Sequence, residues 1–195
     1  MKFFTTRILG IIGIIGSPWA FIDFMNNGLY DRFVLTSMSG LRNFIFITGW
    51  TCSIIGLYKL QAMGNKLWQK IIMIIQIVLL CLANCWNIIE IFAPRSSSKI
   101  FDLLNLAWPI AGLWMLITGI VILFAKKLQG WKLYIPLFAS FWFIVTTLIY
   151  FTGYVSSSFL IASGIYSMVA FSLLGFAVVI TSKKTSTVNQ PYYKA

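Results

Sequence analysis

The sequence predicts an all-α polytopic integral membrane protein, a six-transmembrane-helix bundle with both termini in the cytoplasm (N-in/C-in). Three observations predict it. Of 195 residues, 59% are hydrophobic and 10% charged, with a mean hydropathy of +0.89, whereas a soluble domain carries about 25% charged residues. The apolar residues come in continuous runs close to the ~20 residues that a helix needs to cross hydrocarbon. Lys and Arg are concentrated at alternate ends of those runs.

The same composition excludes other classes. Seventeen Phe, eight Trp and eight Tyr would leave large apolar patches on a small soluble globule that has only four acidic residues. Disorder needs low hydrophobicity, and a transmembrane β-barrel needs short stretches of alternating polarity. A helix satisfies its own backbone hydrogen bonds inside lipid.

Reading the runs in order places spans near 8–26, 40–60, 69–93, 102–125, 132–153 and 157–181. They form one domain over 1–181, followed by a flexible cytoplasmic tail over 182–195. The breaks carry turn or charge signals: Asn26-Asn27-Gly28, Gly64-Asn65-Lys66, Pro94 to Ser98, Lys126-Lys127 with Gly130, and Ser156-Ser157-Ser158. The basic start before the first run resembles a secretory signal. Pro18, however, sits beside Ser17 and two residues before Ala20, where cleavage would need small residues, so 8–26 reads as a true span. Phe33, Val34 and Leu35 are expected at the outer interface as a short helix, with Ser37 or Ser39 capping the second span.

Orientation follows from charge, because cytoplasmic segments carry the excess of Lys and Arg. Lys2, Arg7, Lys59, Lys66, Lys70, Lys126, Lys127, Lys132, Lys183, Lys184 and Lys194 fall on one side; Arg32, Arg42, Arg95 and Lys99 fall on the other. Asp23, Asp31, Glu90 and Asp102 all lie at or near the outer ends. The basic side therefore faces the cytoplasm and anionic lipid head groups, which accounts for the pI of 9.8 without nucleic-acid binding. A bacterial cytoplasmic membrane is the simplest setting. Lys59-Leu60-Gln61 and Lys127-Leu128-Gln129 repeat at an offset of 68 residues, which a duplicated hairpin or a shared interface would each produce.

In lipid, packing faces are marked by small and polar residues. Gly13, Gly16, Ala20, Asp23 and Asn27 form such a stripe on the first span. Asn105, Pro109, Gly112 and Gly119 do so on the fourth, and Ser163, Ser167, Ala170 and Ala177 on the sixth. Pro18, Pro109 and Pro136 lie within or near span starts, where a missing donor bends a helix or frees a carbonyl. On the third span Gln76, Ala83, Asn84, Asn87 and Glu90 gather on one side, with Cys81 and Cys85 on another. Showing a carboxyl and three amides to lipid is costly, so this stripe faces the bundle interior or a wet cavity. Asp23 and Arg42 occupy a similar depth. Asp23, Arg42 and Glu90, with Gln76, Asn84 and Asn87 below, are the candidates for an outward-opening polar pocket or, equally, for a charge cluster that holds helices together.

With no His, the chain lacks Ser-His-Asp and Cys-His pairs, His-held haem and His-bearing zinc sites. No catalytic constellation, cofactor site or metal site is expected. Cys81 and Cys85, one turn apart, read as buried packing thiols or a thiol relay. The function expected first is that of a non-catalytic membrane-embedded subunit or scaffold with a membrane-protein partner or a second copy of itself. The alternatives are a small-solute or ion permease or sensor using the outer pocket, and an intramembrane enzyme acting on lipid or quinone.

Overall fold

A computed structural model describes residues 2–28, 35–94, 98–151 and 156–188. Among them the chain is helical, with no strand: α1 Lys2–Gly16, α2 Pro18–Gly28, α3 Ser37–Lys59, α4 Leu67–Phe92, α5 Lys99–Asn105, α6 Ala107–Ala125, a 3-10 turn Gly130–Leu133, α7 Ile135–Phe151 and α8 Ser157–Val188. Thr5–Asn26, Leu67–Phe92, Lys99–Ala125 and Ser157–Ser182 are long and apolar enough to cross a membrane. The second and fifth expected spans do not meet that measure. Ser39, Arg42, Asn43, Thr48, Thr51 and Ser53 make α3 too polar, and in α7 the apolar stretch among the described residues is the shorter Ile135–Thr147.

Proline accounts for the breaks. Pro18 is the first residue of α2, where the absent N–H has no intrahelical partner to lose. The kink falls at Ser17, whose hydroxyl donates to the Gly13 carbonyl at 2.7 Å. The fourth expected span is also split, at Leu106, leaving Pro109 in the first turn of α6. That break turns Asn105 off the packing face expected for it, and Asn105 is exposed. Pro136 is the second residue of α7.

Three further boundaries differ from expectation. Thr36, not Ser37 or Ser39, caps α3: its hydroxyl accepts the Ser39 N–H at 3.0 Å, while its backbone stays extended. Helix α8 continues through residues 182–188, expected as tail. Phe33, Val34, Arg95 and residues 189–195 lie outside the described residues. The two similar loops are built differently, since Gln61 is left-handed at φ 52° and its counterpart Gln129 is extended at φ −115°.

The helices stack into six columns, counting α1 with α2 and α5 with α6 as one each. Neighbours in the chain pack on one another, and α1 and α2 also close on α8, so the columns form a ring. Glycines bring them close. A Cβ on Gly49 would lie 2.9 Å from Gly16 Cα, and one on Gly10 would lie 2.6 Å from the Gly175 carbonyl oxygen, so α1 lies in direct backbone contact with both α3 and α8. Gly112 is held against the Phe143 ring, and a Cβ on Gly119 would lie 2.7 Å from Leu137 Cα. The small-residue faces read from the sequence are thus helix contacts at Gly13, Gly16, Gly112 and Gly119.

Aromatic rings fill the middle of the ring of helices. Phe46 of α3, fully buried, has ring centroids of Phe171 (α8) at 5.0 Å, Trp142 (α7) at 6.1 Å and Trp108 (α6) at 6.2 Å. Phe24 of α2 meets Trp142 edge-on at 6.0 Å. Five of the six columns thus converge on one cluster, and the Trp142 indole donates to the Ser163 carbonyl at 3.0 Å, tying α7 to α8.

Polarity is inverted relative to a water-soluble bundle. On α4 the exposed positions include Leu67, Ile71, Ile74, Val78, Leu82 and Ile88, while Gln76, Asn87 and Glu90 have no exposure at all. An apolar exterior around a polar-striped interior is what a hydrocarbon solvent selects. Three outcomes check this packing. Phe46→Ala should lower unfolding free energy by about 3–5 kcal/mol. Gly49→Ala, which must push α1 from α3, should cost about 1–3 kcal/mol. Ile74→Ala on the exposed face should leave melting in detergent almost unchanged.

Candidate functional site

The polar residues singled out from the sequence fall into two groups. The first is at the α3 N-terminus. Arg42 Nη1 lies 3.6 Å from Asp23 Oδ1, with the two side chains only 15% and 9% exposed. The Ser39 hydroxyl donates to Asp23 Oδ2 at 3.3 Å, and the Asn43 amide approaches the same oxygen at 3.4 Å. Residues 39, 42 and 43 share a face because they are three and four apart on one helix. Asp23 reaches them because Gly16 and Gly49 let the first column approach α3.

Glu90 enters this group from α4. Its approach is set by Gly40: a Cβ there would lie 2.9 Å from Ile91 N and 3.0 Å from the Asn87 carbonyl oxygen, so α3 and α4 touch backbone to backbone beside the carboxyl. Ser39, Thr36 and the Asp23 carboxylate are its polar surroundings. Neither Glu90 oxygen nor Asn87 Oδ1 makes a hydrogen bond of full geometry, Ser39 and Thr36 standing nearest to the carboxyl. Arg42 pairs with Asp23, and Glu90 has no ion pair among the described residues.

The second group lies deeper. The Gln76 amide donates to the Ala111 carbonyl at 3.2 Å and its oxygen accepts the Thr118 hydroxyl at 3.5 Å, joining α4 to α6. Asn84 donates to the Thr48 hydroxyl at 3.0 Å, joining α4 to α3, and accepts the Asn87 amide at 3.1 Å. The Trp114 indole donates to the Ile72 carbonyl at 3.0 Å. All but the Asn87–Asn84 bond, which lies within α4, join one helix to another, and each leaves fewer polar atoms facing open space.

The arrangement is closed. Gln76, Asn87 and Glu90 are fully buried and Asp23 is 6% exposed. A cavity of about 220 Å³ lies at the opposite end of α3, lined by Tyr58, Lys59, Met63, Asn65 and Lys70. There Gly64, at φ 101°, lets the turn pass over the Gln69 side chain, whose oxygen accepts the Lys66 N–H at 3.0 Å. Sequence reasoning missed this cavity, although Lys59, Gly64 and Lys70 were each noted as loop signals. Cys81 and Cys85 are free and exposed on the apolar face of α4, and Cys52 is half-buried, so the expectation of buried thiols is corrected for the α4 pair. No group of three or more His, Cys, Asp or Glu suited to a metal exists among the described residues.

Removing one member of the Asp23–Arg42 pair leaves a buried charge. Arg42→Met should destabilise by about 3 kcal/mol, and adding Asp23→Asn should recover more than half of the loss, as a double-mutant cycle in detergent would read. Comparison with protein families, with curated proteins and with solved structures yields no match.

Proposed function

We propose that this chain is a non-catalytic, multi-pass membrane subunit or scaffold that crosses the bilayer six times with both ends in the cytoplasm. The observation that carries the reading is the closure of its polar side chains upon one another. Gln76, Asn84, Trp114 and Trp142 are committed to contacts between columns, and an aromatic cluster occupies the centre that a solute path would need.

Topology supports six crossings. Gly40 packs beside Asn87 and Glu90 while Thr48 meets Asn84, so α3 and α4 are antiparallel; the Gly16–Gly49 and Gly13–Ser53 contacts make α1 and α3 antiparallel too. The first column and α4 therefore point the same way, and the chain must return through α3. Gly119 against Leu137, Gly112 against Phe143, and Trp142 against Ser163 make α7 the return path between α6 and α8. The polarity of α3 is tolerable because it is sheltered: it packs on the first column, α4 and α8, and shows few large apolar side chains outward. Placing Lys59, Lys66, Lys70, Lys126 and Lys127 against an anionic cytoplasmic leaflet orients the molecule, and the bacterial cytoplasmic membrane is its proposed location. A membrane-protein partner or a second copy is the proposed context.

Two measurements test the reading. In a chain freed of its three cysteines, Cys introduced at Gln61 and Gln129 should react with an impermeant maleimide only from the cytoplasmic side, and Cys at Asn26 only from the other. Proteoliposomes holding the protein should show no proton, potassium or sodium flux above empty vesicles. Saturable flux would overturn the non-catalytic reading, and labelling of Gln61 and Asn26 from one side would overturn the six crossings.

A further inference from the structure

We propose that Asn87 and Glu90, with Asp23 and Ser39 beside them, form a binding site for one monovalent metal cation of the sodium or potassium kind. This goes beyond the scaffold reading and does not depend on it.

Glu90 Oε1, Glu90 Oε2 and Asn87 Oδ1 make no hydrogen bond of full geometry, although Ser39 and Thr36 stand close to the Glu90 carboxyl, and both Glu90 and Asn87 have zero exposure. Buried acceptors of this kind are normally satisfied, since leaving one bare costs about 1–3 kcal/mol and more for a charged group. Residues three apart on a helix lie on one face, so the three oxygens belong to one turn of α4. That face is turned to α3 by the Gly40 contact. Across it stand the Ser39 hydroxyl and the Asp23 carboxylate, which brings further oxygens toward the same place. The Glu90 and Asn87 oxygens, short of donors beside these groups, are a site for a positive charge.

Charge counting narrows the ligand. Arg42 is the cation facing this group, and it is directed at Asp23 Oδ1, which offsets that carboxylate. Among the described residues no cation pairs with Glu90, so its carboxylate, when ionised, is one uncompensated negative charge. One monovalent cation balances it, whereas a divalent ion would bury an excess positive charge. The donors are carboxylate, amide and hydroxyl oxygens with no sulfur or imidazole, which suits a hard cation rather than zinc or copper. Backbone and amide oxygens replace the hydration shell of sodium and potassium at comparable sites in membrane proteins.

The position also suits loading from one surface. Glu90 is two residues from the end of α4 and Ser39 two from the start of α3, within one helical turn of the end of the column.

Thermal unfolding of the purified full chain in detergent tests the site, at fixed pH and ionic strength, with choline chloride replaced by sodium, potassium or lithium chloride. The expected result is a saturable rise in melting temperature of about 5 °C with one of the three alkali ions, lost in Glu90→Gln. Direct equilibrium binding of radioactive sodium or rubidium to the wild-type protein should give one ion per chain, and it decides the matter if the variant cannot be purified. Equal melting in choline and in every alkali salt would overturn the proposal. So would stabilisation retained in full by Glu90→Gln, stabilisation by calcium but not by alkali ions, or a response to pH alone, which would assign the site to a proton. Flux in proteoliposomes would remove the scaffold reading and leave this site standing, so the two fail separately.

Discussion

A ring of six helical columns leaves a hole along its axis, and the filling of that hole is the constraint on which the rest depends. Lipid supplies no hydrophobic drive between helices, so the columns are held by close packing and by hydrogen bonds between them. Phe46 does the central part of the filling, because a ring at that position on α3 meets aromatic side chains from α6, α7 and α8 together. The glycines of α1, α3 and α8 do the complementary work at the wall. Without Gly16, Gly49 and Gly175 the first column would stand too far out for Phe24 to reach Trp142. Aromatic bulk inside and glycine at the seams are two halves of one packing solution.

The plug divides the interior. Phe46 is seven residues from Ser39, about 10 Å along the helix, and twelve residues from Tyr58, about 18 Å. The Asp23–Arg42–Glu90 group therefore lies on one side of it and the Lys59–Lys70 cavity on the other. Two polar regions separated by stacked rings do not make a channel. They make two separate ends, an arrangement in keeping with the static role proposed above.

Much of this was legible in the sequence, for reasons that lie in helix periodicity. Gln76, Asn87 and Glu90 repeat at spacings that keep them on one side of α4, and hydrocarbon forbids that side from facing out, so their burial followed from spacing and solvent alone. The same logic marked Gly13, Gly16, Gly112 and Gly119 as contacts. What periodicity cannot give is the identity of the partner, because a face has a direction only once neighbours are placed. Arg42 was equidistant in principle from Asp23 and Glu90; the structure pairs it with Asp23 because Gly40 seats α3 against the α4 backbone and leaves Glu90 beside Ser39 instead. Local rules also competed. Pro109 sits within an apolar run that reads as one span, yet the helix breaks at Leu106 so that proline falls in a first turn, and Asn105 leaves its expected face as a result.

The depth at which each polar type sits follows a gradient of cost. The neutral amide of Gln76 lies nine residues into α4, near its middle, and is matched by a carbonyl and a hydroxyl from α6. The charged pair Asp23–Arg42 lies within two turns of a helix end, where side chains can approach head groups and water. Uncharged groups can be satisfied deep inside by fixed dipoles, whereas ionised ones need either a partner of opposite sign or proximity to the surface. Asp23 and Arg42 have each other. Glu90 has the surface nearby but no ion-pair partner among the described residues, and it is the one described acidic residue with no exposure at all. A packing arrangement that satisfies Gln76 so fully, and leaves Glu90 so bare a few turns away, has concentrated its unsolved electrostatics at a single residue. That residue is where an external charge would have most to gain.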